Sequence, residues 1–299
     1  MVEEKVRDTE MPAKKKKREK EFRRVRTASP MLVITSYIMK TRVGSQNMIA
    51  DKLKIDNVDK YIKEKQAEGY KNISYMHVLI AAYIRTVSQR PALNRFIRGQ
   101  RIYTRRNVEI SLSIKKQMNL ESPDTVVKVI LPPDATAVDV YEKLNQVVTD
   151  YRDNPGGDFD NPAKVLSYIP GLVLKFSIWF LNLLDYFGLL PSFLTGVSPF
   201  HCSFFITSMG SLGIPAIYHH LYDFGTCPVF CSFGTKKREY SLSDDGTVHK
   251  DKYIDVTFVL DERICDGYYY ASSLKMIKSL IKNPWQLDVP PEQIVSDIP

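Results

Sequence analysis

LDERICDG, residues Leu260–Gly267, closes an apolar run and opens a polar one. Tyr253 to Leu260 reads as a short buried strand, and directly behind it stand an acid, a base and an Asp-Gly pair. Charged side chains are thereby set at the end of an apolar rod, a position from which rigid scaffolds present reactive groups. Glu262, between Asp261 and Arg263, is the residue on which the reading turns.

Working outward, DGYYYASSLKMIKSLIKNP predicts a closing helix that stops at Pro284. On the other side, CSFFITSM, CPVFCSFG and VHKDKYIDVTFVL predict strands, the first two joined by a Gly-, Pro- and His-rich connection. Ile73 to Arg90 places apolar residues at 76, 79, 80, 83, 84 and 87, the spacing of a helix with one buried stripe, and Pro91 ends it. QRIYTR and VEISLSIK alternate as strands, and TVVKVILPP adds another before Pro132 and Pro133 stop it. Thr136 to Tyr151 predicts a helix with Val138, Val140, Leu144, Val147 and Val148 on its apolar side. Asn154 to Pro162 is a loop by composition. This order of elements predicts an α/β two-layer sandwich, a large mixed sheet covered by helices on one face.

LVLKFSIWFLNLLDYFGLL, Leu172–Leu190, is apolar apart from a narrow stripe of Lys175, Asn182 and Asp185. Its length suits a membrane span, but Lys175 and Asp185 would be costly in hydrocarbon. Burial in the protein or in an oligomer interface is the favoured expectation, with peripheral membrane contact through 172–190 as the alternative.

The net charge of +8 is uneven, since residues 1–26 alone carry +5. The run Lys14–Arg18, followed by Arg23, Arg24 and Arg26, suits an anionic lipid surface or a solvated tail. No aromatic side chain interleaves the Lys14–Arg18 run to stack on bases, so nucleic acid is disfavoured as a partner. The expected organisation is a basic, disordered tail over 1–26 and one domain over 27–299, with an insertion at about 154–200. No apolar signal core opens the chain, and Cys202, Cys227, Cys231 and Cys265 fit a reducing, cytoplasmic setting, with membrane association left open. Cys227 and Cys231 lie near His219 and His220, but the spacing matches no structural zinc pattern and no metal is expected.

Four segments, in this order, resemble the catalytic domain shared by chloramphenicol acetyltransferase and the acyltransferase components of 2-oxoacid dehydrogenase complexes. QRPALN, Gln89–Asn94, resembles a helix closing in a Pro-x-x-Asn turn. FFITSMGSLG, Phe204–Gly213, resembles a strand with a Ser-Asn-x-Gly-type ending, and PVFCSFG, Pro228–Gly234, the strand after it. DERICDG resembles the family's Asp-His-Arg-x-x-Asp-Gly. Collinearity over Tyr70 to Lys282 carries more than any one motif.

The resemblance implies a chloramphenicol acetyltransferase-like fold, a homotrimer and an active-site channel between neighbouring subunits. It implies a coenzyme A thioester as co-substrate, a small thiol or hydroxyl acceptor, and no bound cofactor. By matched position Thr207 is the hydroxyl that donates to the oxyanion, with Ser208 beside it; Arg263 matches the family's Arg; Asp266 of Asp266-Gly267 matches an ion-pair partner that shapes the loop. The family's histidine base is replaced by Glu262. A free carboxyl titrates near 4.3 and a thiol near 8.5, a mismatch of about four pH units or about 5 to 6 kcal/mol, which burial in a subunit channel would reduce. His220, in IYHHLYDFG, is a second candidate base, and its bland reading, shared with His219, is to organise a Gly-rich loop. No Asp-Lys-Ala lipoylation turn is present, so a stand-alone relative without a lipoyl attachment site is expected. Two functions stay open: acyl transfer, or a catalytically silent relative acting as a ligand-binding, membrane-associated or scaffolding protein.

Overall fold

A computed structural model describes residues 21–115, 124–153 and 168–297. Nine strands are present among them: β1 Phe22–Arg24, β2 Gln46–Lys54, β3 Arg95–Arg98, β4 Arg101–Arg105, β5 Val108–Lys115, β6 Asp124–Leu131, β7 Phe204–Ser208, β8 Val229–Leu242 and β9 Val248–Asp261. The α-helices are α1 Pro30–Ile38, α2 Asp56–Ala67, α3 Tyr75–Gln89, α4 Ala137–Asp153, α5 Gly171–Phe187, α6 Ser192–Val197 and α7 Gly267–Lys282.

Six strands form one mixed sheet in the order β2-β9-β8-β7-β5-β6. β7 lies parallel to both of its neighbours, β5 and β8, whereas the remaining pairs are antiparallel. A second sheet, β1-β4-β3, is small and antiparallel.

Alternation along the strands sorts side chains between the two faces of the large sheet. Phe204 and Ile206 of β7, Cys231 of β8 and Phe258 of β9 join one continuous core with α2, α3, α4 and α7. Tyr83 of α3 stacks on Phe204 at 3.9 Å between ring centroids. Full burial of each such side chain is worth about 1.5 to 3 kcal/mol. The intervening residues Phe205, Phe230 and Val259 point to the opposite face and build a smaller cluster with Cys202, Leu221 and Cys227. This is the α/β two-layer arrangement the periodicity predicts, a large mixed sheet with helices on one face.

The periodic segments match closely: α3, β5, β6, α4, β9 and α7 fall within a few residues of their expected bounds. QRIYTR forms the expected strand, as β4 of the small sheet. One expectation is corrected. Residues 1–20 of the expected basic tail lie outside the described residues, but Phe22–Arg24 forms β1 instead of continuing a disordered tail. The reason is aromatic: Phe22 packs edge-to-face on Phe96 at 5.7 Å and on Tyr103 at 5.8 Å.

Of the expectations for α5, burial within the protein is not met among the described residues: Asp185 is the buried residue of the helix, while Leu172, Phe176, Trp179 and Phe187 are exposed. The loop expected over 154–162 lies outside the described residues. No helix among the described residues is long and apolar enough to cross a membrane.

Candidate functional site

On the face away from the main helices, β7, β8 and β9 bring three hydroxyls into one row. Thr207 pairs with Ser232, and Ser232 pairs with Thr257. The segment after β7 folds back over this row. The Ile217 N–H donates to Ser232 Oγ at 3.0 Å, and Thr257 Oγ1 donates to the Ile217 carbonyl at 2.5 Å. Two glycines permit this close layering: a Cβ on Gly234 would lie 2.5 Å from the Ala216 nitrogen, and one on Gly210 would lie 2.6 Å from the Gly234 carbonyl oxygen. Ser232 and Thr257 are thus committed to structure. Thr207 is buried, yet its hydroxyl makes no hydrogen bond to a described residue. It remains available as a donor.

Ser208 has a local role, its Oγ accepting from the Ser211 N–H at 3.3 Å and its carbonyl accepting from Ser211 Oγ at 2.8 Å. Both bonds shape the turn after β7. His219 stacks on Phe230 at 4.1 Å, its Nδ1 lies 2.8 Å from the His220 carbonyl, and burial depresses its pKa. His220 is exposed and rests edge-on against Tyr222. Both histidines lie on the same face as Thr207; the backbone of Phe230 is about 8 Å from that of Thr207 by strand spacing and rise.

Glu262 begins the loop after β9. Its N–H donates to the Ser45 carbonyl at 2.8 Å, while its side chain is exposed and forms no ion pair with a described residue. The loop beneath it is rigid. Arg263 is buried and forks onto Asp261, with Nε and Nη2 each 2.7 Å from a carboxylate oxygen. Arg263 Nη1 also donates to the Met39 carbonyl at 3.1 Å, and Arg42 Nε lies 3.4 Å from Asp261 Oδ2. Arg42 in turn donates to the Tyr222 carbonyl at 2.7 Å, which ties this loop to the segment carrying His219 and His220.

Asp266 shapes the loop as the cap of α7, accepting from the Tyr269 N–H at 2.8 Å, but it forms no ion pair with a described residue, in place of the one that the resemblance implies. The ion pair belongs to Asp261, because the strand end turns that side chain inward while Asp266 faces solvent. Gly267 opens the helix. Arg42, Asp261, Ser232 and Thr257 are the site-forming residues that sequence reasoning missed; Asp261, inside DERICDG, and Ser232, inside PVFCSFG, stood in stretches that could have signalled them.

Thr207 and Glu262 do not meet within one chain. Two strand spacings separate β7 from β9, and five residues separate Thr257 from Glu262, which together amount to about 20 Å. Among the described residues no group of three or more His, Cys, Asp or Glu side chains could hold a metal ion.

Comparison with known proteins is by structure: no family model matches the sequence, and no curated protein matches it. A probable dihydrolipoamide acetyltransferase from Listeria monocytogenes superposes with a TM-score of 0.56 at 13% identity, over 84% of this chain and 88% of that one. The truncated catalytic core of the 2-oxoacid dehydrogenase multienzyme complex from Thermoplasma acidophilum gives 0.53 at 13% identity, over 87% and 98%. The dihydrolipoamide acetyltransferase of Azotobacter vinelandii, studied for a serine, a histidine and an asparagine in its catalytic mechanism, gives 0.53 at 12% identity, over 86% and 88%. The chain has the acyltransferase fold of these catalytic domains.

Proposed function

We propose, taking that shared fold as the premise, that this protein transfers an acyl group from a coenzyme A thioester to a small thiol or hydroxyl acceptor, in a channel completed by a second copy of the chain. The observation that carries the reading is Thr207, the one hydroxyl of its row without a hydrogen bond among the described residues, on a fold whose Azotobacter neighbour was studied for a serine in its catalytic mechanism. Glu262 supports it from the other side, as an exposed carboxylate without an ion pair among the described residues, on a braced loop.

In the proposed step, the Glu262 carboxylate takes the proton of the acceptor S–H or O–H as that atom attacks the thioester carbonyl. The carbonyl oxygen becomes an oxyanion and accepts a hydrogen bond from Thr207 Oγ1 of the adjoining copy. Collapse breaks the C–S bond, and the departing coenzyme A thiolate recovers the proton from Glu262. The 20 Å separation within one chain is the reason a second copy is invoked, and a homotrimer would supply one such interface per chain.

The test incubates the purified protein with acetyl-coenzyme A and a panel of thiols and alcohols, beside Glu262→Gln and His220→Gln. Thiol release abolished by Glu262→Gln supports the reading. Release lost only in His220→Gln moves the base to His220. No release, with no rise in melting temperature on adding coenzyme A, overturns acyl transfer and leaves a binding or scaffolding role.

A further inference from the structure

Two helices carry apolar side chains outward, and both are tied to the same turn. α1 sends Leu32 inward to the small cluster of Val25, Ile97 and Ile102, while Met31, Ile34, Tyr37 and Ile38 are exposed. α5 exposes Leu172 to 86%, Phe187 to 66%, and Phe176 and Trp179 to more than half. The tie is the two-residue turn Gly99–Gln100 between β3 and β4, whose residues have φ values of 55° and 56°. Ser36 of α1 donates to the Gln100 carbonyl at 2.8 Å, and the Tyr186 hydroxyl of α5 donates to Gln100 Oε1 at 2.9 Å. Both helices are thereby held at one end of the small sheet.

Exposed cations outnumber exposed acids around them, the acids being Glu21 before β1, Asp223 against Val43 and Glu262 beyond the end of α1. α1 contains no charged residue. α5 has one acid, Asp185, which is buried with Oδ1 3.1 Å from Arg98 Nε and Oδ2 3.3 Å from His201 Nε2. The exposed part of α5 therefore carries a single charged side chain, Lys175. Around the turn stand the exposed cations Arg24, Arg26, Lys40 and Arg101; the Val25 N–H bonds the Ile102 carbonyl at 2.9 Å, which sets Arg26 beside Arg101.

We propose that α1 and α5 together dock this protein on an anionic lipid membrane, lying in the interface and not crossing it. Apolar and aromatic side chains flanked by cations are the composition that partitions into the headgroup boundary of acidic bilayers. A second copy across a two-fold axis is the poorer occupant, because it would set this cationic rim against itself, and the trimer contact proposed above engages β7 and the loop after β9 instead. The proposal is independent of the acyl-transfer reading, which uses β7 and the loop after β9.

The full chain, in a Trp285→Phe background that leaves Trp179 as the sole indole, is mixed with phosphatidylcholine vesicles and with vesicles containing about one-third phosphatidylglycerol. Expected are flotation with the anionic vesicles, a blue shift of Trp179 emission, and a fall in binding of about ten-fold or more for Phe176→Ser/Trp179→Ser, read by flotation. Arg26→Glu/Arg101→Glu weakens binding to the anionic vesicles specifically. Binding unchanged by Phe176→Ser/Trp179→Ser and abolished by high salt would assign attachment to the lysine run and overturn the proposal. So would absence of vesicle binding in a protein whose oligomer, sized by light scattering, dissociates on Phe176→Ser/Trp179→Ser.

Discussion

Arg263 and Asp261, two residues apart, face one another edge to edge, each of two guanidinium nitrogens 2.7 Å from its own carboxylate oxygen. Both side chains are buried, and Arg42 approaches the same carboxylate. The bidentate geometry fixes the loop direction, and the adjacent Glu262 is held outward as a consequence.

Removing the carboxylate strands two buried guanidinium groups. Asp261→Ala is expected to lower stability by about 3 to 5 kcal/mol, the cost of breaking a buried pair from one side. Asp266→Ala removes a helix cap and costs about 1 kcal/mol. Urea unfolding of the two variants separates the roles, and equal losses would refute this division.

If the working site joins Thr207 of one chain to Glu262 of another, two inactive variants will rescue each other. Thr207→Val is expected to lower kcat by about 100- to 1,000-fold, the usual effect of deleting an oxyanion donor. Unfolding and refolding it as a one-to-one mixture with Glu262→Gln restores about one-quarter of wild-type activity, since each interface draws an intact partner on both sides with that frequency. A mixture no more active than its components would place both groups in one chain.

His77 makes stability depend on pH. Its Nδ1 accepts the Ser74 N–H at 3.1 Å in the cap of α3, and burial pushes its pKa down to about 4. In the unfolded chain an imidazole titrates near 6.5. Its contribution is therefore complete above about pH 6.5 and is lost as pH falls through about 4, because the unfolded chain binds a proton that the folded one excludes. The expected loss over that window is about 3 kcal/mol. His77→Gln should flatten the profile of unfolding free energy there; an unchanged slope would count against it.

Gly99 governs the attachment of α5. A Cβ at this position would lie 2.4 Å from the Tyr186 carbonyl oxygen, and φ is 55°. Gly99→Ala is expected to cost more than about 1 kcal/mol and to release the C-terminal turn of α5. Hydrogen exchange across 171–187 reads this directly: exchange should accelerate there while α3 stays protected.

How much of this was legible in the linear chain varies with the length of each element. α3, α4, α7, β5 and β9 declare themselves because burial on one face imposes a period of 3.6 or 2 on their residues. The three-residue β1 and four-residue β3 are too short to show a period, and they exist because Phe22, Phe96 and Tyr103 pack together.

The site divides in the same way. The sequence singled out Thr207 in FFITS and Glu262 in DERICDG through the positions at which those segments match the family they resemble, because covalent order fixes their place at strand ends. Only the tertiary structure decided that Asp261 takes the buried pair, that Ser232 and Thr257 are engaged while Thr207 is not, and that Thr207 and Glu262 stand about 20 Å apart. It likewise decided that α5 lies exposed. These outcomes depend on which strands become neighbours and in what register, and that is set by the packing of residues distant in sequence.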